Sequence, residues 1–365
     1  MYIFFDYSRR LRRFSLTFSA PVCEICGNIK NTTSSYNIFC IFAVCFKMFK
    51  RVLVILVLVL LCGTTAFSQK KADFRMWEDS LCHLRDQVMA ESDETTRLAL
   101  NEDFMSLLEE VLQMPDAFKF TWDSVKNFSV LSSPDNVFKI FTWYVVKNNY
   151  DIENFGFIHV YNDSRKKYVL YPLYDKRQNI DYPKTQVGNH NRWYGAVYYK
   201  LIPVKDKNTT YYTLLGWNGN DLFTNQKLIE ILHFNKEMTP IFGARVFKNY
   251  TEKVARVIFE YSKNATMYLN YENQEYLVST GKYNPKTHDY DYKRMRCDMI
   301  IFEELIPMDE AMKNVPAYMV PESSLNQGFI EEDGKWVFQK NVRGSNPDKV
   351  RPDYQHKNRN YYSVQ

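Results

Sequence analysis

The chain predicts a mainly β protein of the α+β class: an antiparallel β meander or sandwich-like core carrying an N-terminal helical hairpin. Three observations support this. Between residues 73 and 113 apolar side chains recur every three or four positions; from about residue 119 to residue 342 the period falls to two; and short turn-forming stretches separate the period-two segments. A propeller-like arrangement is the alternative, because the strands recur at fairly even spacing, although no blade repeat is visible.

The helical hairpin comes first, over residues 69–118. Trp77, Leu81, Leu84 and Val88 form one apolar stripe, and Leu100, Phe104, Leu107, Leu108 and Val111 form a second. Ser92 and Asp93 interrupt the two as caps, and Pro115 ends the second helix. Glu102, Asp103, Glu109 and Glu110 then lie on a solvated face. In the β domain of residues 119–342, strands are expected at 128–131, 137–146, 155–161, 167–174, 193–204, 209–217, 254–261, 266–271, 296–303 and 335–342, all rich in Val, Ile, Tyr, Phe and Trp. Ser133-Pro134-Asp135-Asn136, Asn162-Asp163-Ser164, Asp206-Lys207-Asn208 and Ser262-Lys263-Asn264 are the turns between them. A short helix is expected at 224–232, and a loose polar tail at 343–365.

Charge must be divided before it is used. The whole chain has a formal charge of +5, but residues 1–68 contribute eight bases and only two acids. Residues 69–365 hold 39 bases against 40 acids, so they lack the surplus that gives nonspecific nucleic-acid affinity. No nucleic-acid partner is expected.

The basic segment has its own explanation. Met48-Phe49-Lys50-Arg51 precedes an apolar run from Val52 to Cys62, and Ala66-Phe67-Ser68 offers small residues where a signal peptidase requires them. Residues 48–68 therefore read as a Sec-type leader cleaved before Gln69. The run is too short to span a bilayer, so no stable membrane span is expected after cleavage. Residues 1–47 read as a mis-assigned upstream extension, because a leader begins close to its basic start. Export places the remainder in the periplasm, at the outer membrane or outside the cell. An outer-membrane barrel is disfavoured by strands apolar on both faces and by the polar chain end at Ser363-Val364-Gln365.

Two cysteines remain beyond the leader, Cys82 and Cys297, a possible disulfide in an oxidising compartment. Cys23 and Cys26 resemble half a zinc or redox site but have no second pair. No cofactor or metal motif is present: the chain has no His-Glu-x-x-His, no Gly-x-Ser-x-Gly and no phosphate-cradling glycine loop.

The candidate ligand-binding residues are Trp217, Asn218, Asp221 and His190. In Gly216-Trp217-Asn218-Gly219-Asn220-Asp221, an aromatic plate and an acid flank a tight Asn-Gly step, a pattern suited to a sugar or peptide and equally to a plain strand exit. His190 sits in the polar stretch 188–192. His159 alternates with Phe157 and Tyr161, which favours packing over catalysis. Asp289-Tyr290-Asp291-Tyr292 and Glu331-Glu332-Asp333 read as solvated turns.

Several phrases resemble uncharacterised exported proteins of Bacteroidota: Ala66-Phe67-Ser68-Gln69, the stretch from Leu214 to Asn220, Ile258-Phe259-Glu260-Tyr261-Ser262, and the stretch from Ile300 to Pro307. The resemblance implies a bacterial envelope setting and carries no activity or site residues. The sequence thus leads to a non-enzymatic envelope protein that binds or scaffolds through aromatic β surfaces, with a glycan or peptide as partner. A hydrolase of an envelope polymer, using His190, Asp181 and Asp221, is the competing expectation.

Overall fold

The computed structural model describes residues 73–162, 165–250 and 253–343. The expected leader, the segment 1–47, Asp163 and Ser164 of one expected turn, and the tail beyond Arg343 lie outside the described residues.

Helices α1 (Phe74–Ala90) and α2 (Glu94–Leu112) form the expected hairpin. Each begins on an aspartate. Asp73 Oδ1 accepts the Arg75 amide at 3.2 Å, and Asp93 Oδ2 accepts both the amide and the hydroxyl of Thr96, at 2.8 and 2.9 Å. Leu81 and Val88 of α1 and Phe104, Leu108 and Val111 of α2 turn inward.

The first sheet is a plain meander of β1 (Phe128–Ser132), β2 (Phe138–Val146), β3 (Ile152–Asn162) and β4 (Lys167–Tyr174), in that order. Alternation along β2 distributes its side chains between two cores. Phe141 and Trp143 meet the helices, together with Phe157 of β3; Phe138 and Ile140 point the other way, together with Ile158 and Val160. Arg85 ties the helical layer to this sheet through the carbonyls of Tyr144, at 2.8 Å, and Asn127, at 3.2 Å.

The second sheet contains β5 (Gly188–Asn189), β6 (Val197–Asp206), β7 (Thr209–Asn218), β8 (Thr224–Phe234) and β9 (Pro240–Phe242), ordered β5-β9-β8-β7-β6. A two-residue strand, β10 (Phe247–Lys248), leaves for the third sheet, and β11 (Val257–Ser262) returns to pair with β8. Tyr212, Leu214, Leu228 and Leu232 pack on the first sheet, while Leu215, Ile229 and Ile231 pack on the third.

The expected helix at 224–232 is corrected: this segment is β8, paired with β7, β9 and β11. Both of its faces are buried over most of its length, so its apolar run lacks the alternation that marks a half-exposed strand.

The third sheet joins β10, β12 (Leu269–Asn284), β13 (Asp289–Pro307), β14 (Met319–Glu332) and β15 (Lys335–Arg343) in the order β10-β15-β12-β13-β14. β14 also pairs with β15, so the sheet curls back on itself. One face contributes Leu269, Ile300, Phe302, Phe329 and Trp336 to the core shared with the second sheet, and the other gathers Tyr276, Met299, Ile301, Ile330 and Val337. Helices and three sheets therefore stack as four successive layers, not as the radial blades of a propeller.

Two further expectations are corrected here. The strands expected at 266–271 and 296–303 are the inner ends of β12 and β13, which run for 16 and 19 residues and take in Asp289-Tyr290-Asp291-Tyr292 as strand, not turn. Cys82 and Cys297 are both free thiols. Cys82 packs at the edge of the helical core and Cys297 against the cluster around Tyr276, so the possible cross-link is not formed.

Candidate functional site

The segment from Trp217 to Asp221 closes the turn between β7 and β8, and its polar atoms are taken up by that task. Asn218 is fully buried. Its Oδ1 accepts the Arg177 guanidinium at 2.6 Å and the Asn220 amide at 2.7 Å, and its Nδ2 donates to the Gly195 carbonyl at 2.8 Å. Asp221 caps the start of β8, where its Oδ1 accepts the amides of Phe223 and Thr224, both at 2.8 Å. Trp217 stands edge-on to Tyr144, ring centroids 5.4 Å apart, in a small cluster with Ile152 and Val197.

Around this turn lies a polar network that the sequence did not announce. Asp175 crosses to Trp193 in an isolated parallel bridge and receives the backbone amide and the side-chain amide of Asn154, at 3.1 and 2.9 Å. Burial raises its pKa, against the pull of the Asn154 hydrogen bond and the Arg177 charge. On the other side Glu260 accepts from Thr224 at 3.0 Å and from Gln226 at 3.3 Å, while Gln226 Oε1 accepts the Tyr194 hydroxyl at 3.1 Å. These groups bind one another and knit strand ends together.

His190 lies elsewhere. Its Nδ1 is 3.1 Å from the Pro172 carbonyl and its ring leans on Tyr171 at 5.1 Å. It joins neither Asp181 nor Asp221 among the described residues. His159 is buried among Phe118 and Tyr168, at 5.3 and 5.1 Å, opposite Lys139 in the sheet register. Burial and the Lys139 charge push its pKa down to about 4. Among the described residues, no group of three or more His, Cys, Asp or Glu side chains is placed to hold a metal ion.

The feature that faces solvent is a different one. β13 pairs with β14 only from Met299 onward, and β12 pairs with β15 only at Glu275 and Tyr276. Residues 277–296 consequently pair only across β12 and β13, with Met295 and Arg296 opposite Tyr276 and Glu275 at the base, and form a two-stranded ribbon that neither β14 nor β15 joins. Tyr283 and Tyr290 are opposite partners near its tip, and Tyr292 follows two residues on, so all three share one face. They are 54, 50 and 44% exposed. Arg294 continues that face, and Val278 and Met295 lie exposed on the other. The ribbon holds five bases, Lys282, Lys286, Lys293, Arg294 and Arg296, against Asp289 and Asp291, and at its base Arg294 is paired with Glu275 at 3.6 Å. The signal for it in the sequence is a polar, tyrosine-bearing strand pair joined by the turn at Asn284-Pro285-Lys286-Thr287.

No described helix is long and apolar enough to cross a membrane. The chain matches no family model, no curated protein and no solved structure.

Proposed function

We propose that this is an exported, non-enzymatic binding or scaffold protein of the bacterial cell envelope, and that the ribbon of residues 277–296 is its contact element. The observation that carries the reading is the ribbon itself: an isolated two-stranded hairpin is marginal in water, yet this one presents three tyrosines and five bases away from the fold. Tyrosine supplies broad amphipathic contact area at small entropic cost, and an adjacent arginine adds hydrogen bonding and stacking. The stacked sheets behind it give the ribbon a rigid base. Export rests on the apolar run 52–62 with its basic start, and the partner belongs to the envelope as a glycan, a peptide or a protein surface.

The hydrolase reading draws no contact from His190, which rests on a carbonyl and not on a carboxylate. Cell fractionation tests the binding reading directly. The full chain should be recovered with the envelope, without residues 48–68 at its N-terminus, and a variant with 278–292 replaced by a two-residue turn should lose that retention while keeping its fold. Equal retention of both proteins, or an uncleaved chain in the cytosol, would overturn it.

A further inference from the structure

We infer that the partner of the ribbon is a second copy of this chain, and that the ribbon of one copy docks on the acidic outer face of the helical layer of the next. The inference rests on the scaffold reading above and names the surface that the ribbon meets.

Charge complementarity within the one molecule supports it. Residues 73–113 contain eleven acids and three bases. Of those bases Arg85 is buried, Arg97 turns to the carbonyls of Glu91, Ser92 and Val146, and only Arg75, at the start of α1, is exposed. The carboxylates of Asp79 and Asp86 on α1, and of Glu102, Asp103, Glu109 and Glu110 on α2, are exposed. Seven-residue spacing separates 79 from 86, 102 from 109 and 103 from 110, which sets each pair on one side of its helix. The result is an acidic surface on the first layer of the stack and a basic ribbon on the fourth.

The ribbon's own chemistry narrows the choice further. Its two edges leave backbone N–H and C=O groups unpaired by neighbouring strands, the usual template for pairing with a second ribbon. Lys282, Lys286 and Lys293 bring like charges into any such ribbon-to-ribbon contact and oppose it. The same charges favour an acidic surface. Because ribbon and acidic face are different patches in opposite outer layers, the contact is heterologous and repeats head to tail instead of closing as a two-fold dimer.

Sedimentation of the purified chain across concentration and ionic strength tests this. Mass should rise with concentration at low ionic strength and fall back to that of the monomer in high salt. The ribbon variant K293E/R294E/R296E and the helix variant E102K/D103K/E109K/E110K should each lose association by roughly tenfold or more. Mixing the two variants should restore it, since each then offers the charge the other lacks; restoration also shows that both are folded. A chain that stays monomeric at low ionic strength overturns the inference, as does association indifferent to the ribbon reversal. A monomer that binds an acidic polysaccharide through the ribbon overturns it too. In those cases envelope retention separates the two ideas: retention that still needs the ribbon leaves the scaffold reading standing, and retention that ignores the ribbon removes both.

Discussion

Glu230 and Arg256 form a salt bridge of 2.6 Å in the interior of the second sheet, with the two side chains 0 and 1% exposed. Arg256 spends its remaining donors on the carbonyls of Pro183, Gln186 at 2.8 Å and Phe242 at 3.3 Å. One guanidinium thus holds the loop before β5 against β8, β9 and β11. Burial pushes the Glu230 pKa up while Arg256 pulls it down, so the carboxylate depends on its partner to stay charged.

Removing that partner should be costly. Arg256→Met leaves a buried carboxylate without its counter-charge and strips three carbonyls of a donor, a loss on the order of 3–5 kcal/mol. Urea unfolding measures it. The double variant E230L/R256M should be less destabilised than Arg256→Met alone, because the stranded charge is gone; it should still fall short of the parent, because the three carbonyls remain without a donor. A double variant no better than the single would mean that the stranded Glu230 carboxylate carries no cost.

His159 gives the fold an acid-sensitive point. Its folded pKa is depressed to about 4 from the ordinary 6.5, by burial and by Lys139. The unfolded chain therefore takes up this proton first as pH falls. Stability contributed by the neutral imidazole is full above pH 6.5, is lost progressively from there down to about 4, and levels off below. The shift corresponds to about 3 kcal/mol across that window. Unfolding free energies of the parent and of His159→Phe, measured between pH 7 and pH 4, should diverge with the parent falling faster. Parallel curves would show that the imidazole is not the group responsible.

How much of this was legible in the residues varies with burial on each face. β2 and β3 were evident because their aromatic and β-branched residues recur in long runs between clear turns, and Asp93 marked a helix start through ordinary capping chemistry. β8 was not, because Leu228, Ile229, Ile231 and Leu232 are apolar on both sides and mimic a buried helix over a short window. The outer halves of β12 and β13 escaped for the opposite reason: with both faces in water, nothing selects an alternation. Asn218 and Asp221 were conspicuous as an Asn-Gly turn, and their hydrogen bonds assign them to that turn. The polar network joins Asn154 to Asp175 across 21 positions and Arg177 to Asn218 across 41, so no local pattern could announce it.

The two thiols should behave as unreactive packing groups. Burial raises the pKa of Cys82, helped by Glu78, Asp79 and Asp86, and burial together with Asp298 raises that of Cys297. Both are held as thiols at neutral pH. Mass spectrometry after alkylation of the unfolded, unreduced protein should find both Cys82 and Cys297 labelled, and the thermal midpoint should be the same with and without reductant. A single cross-linked species stabilised against reductant would contradict the separate clusters in which the two residues lie.

Gly195 and Gly281 separate backbone strain from steric exclusion. Both have positive φ, +79° and +74°, so an alanine at either carries the cost of a left-handed backbone, about 1 kcal/mol. At Gly281, near the ribbon tip, an added Cβ meets nothing within 4 Å. At Gly195 the same atom would sit 2.3 Å from Oδ2 of Asp175, the oxygen that receives both hydrogen bonds from Asn154. Gly195→Ala must therefore displace a carboxylate that joins β3 to the segment after β4, and leave buried donors short of an acceptor. Gly281→Ala should shift the unfolding free energy by about 1 kcal/mol, and Gly195→Ala by roughly 3 kcal/mol or more. Near-equal losses would mean that the Asp175 carboxylate can move aside without cost, and that the polar network around Asn218 is looser than its distances indicate.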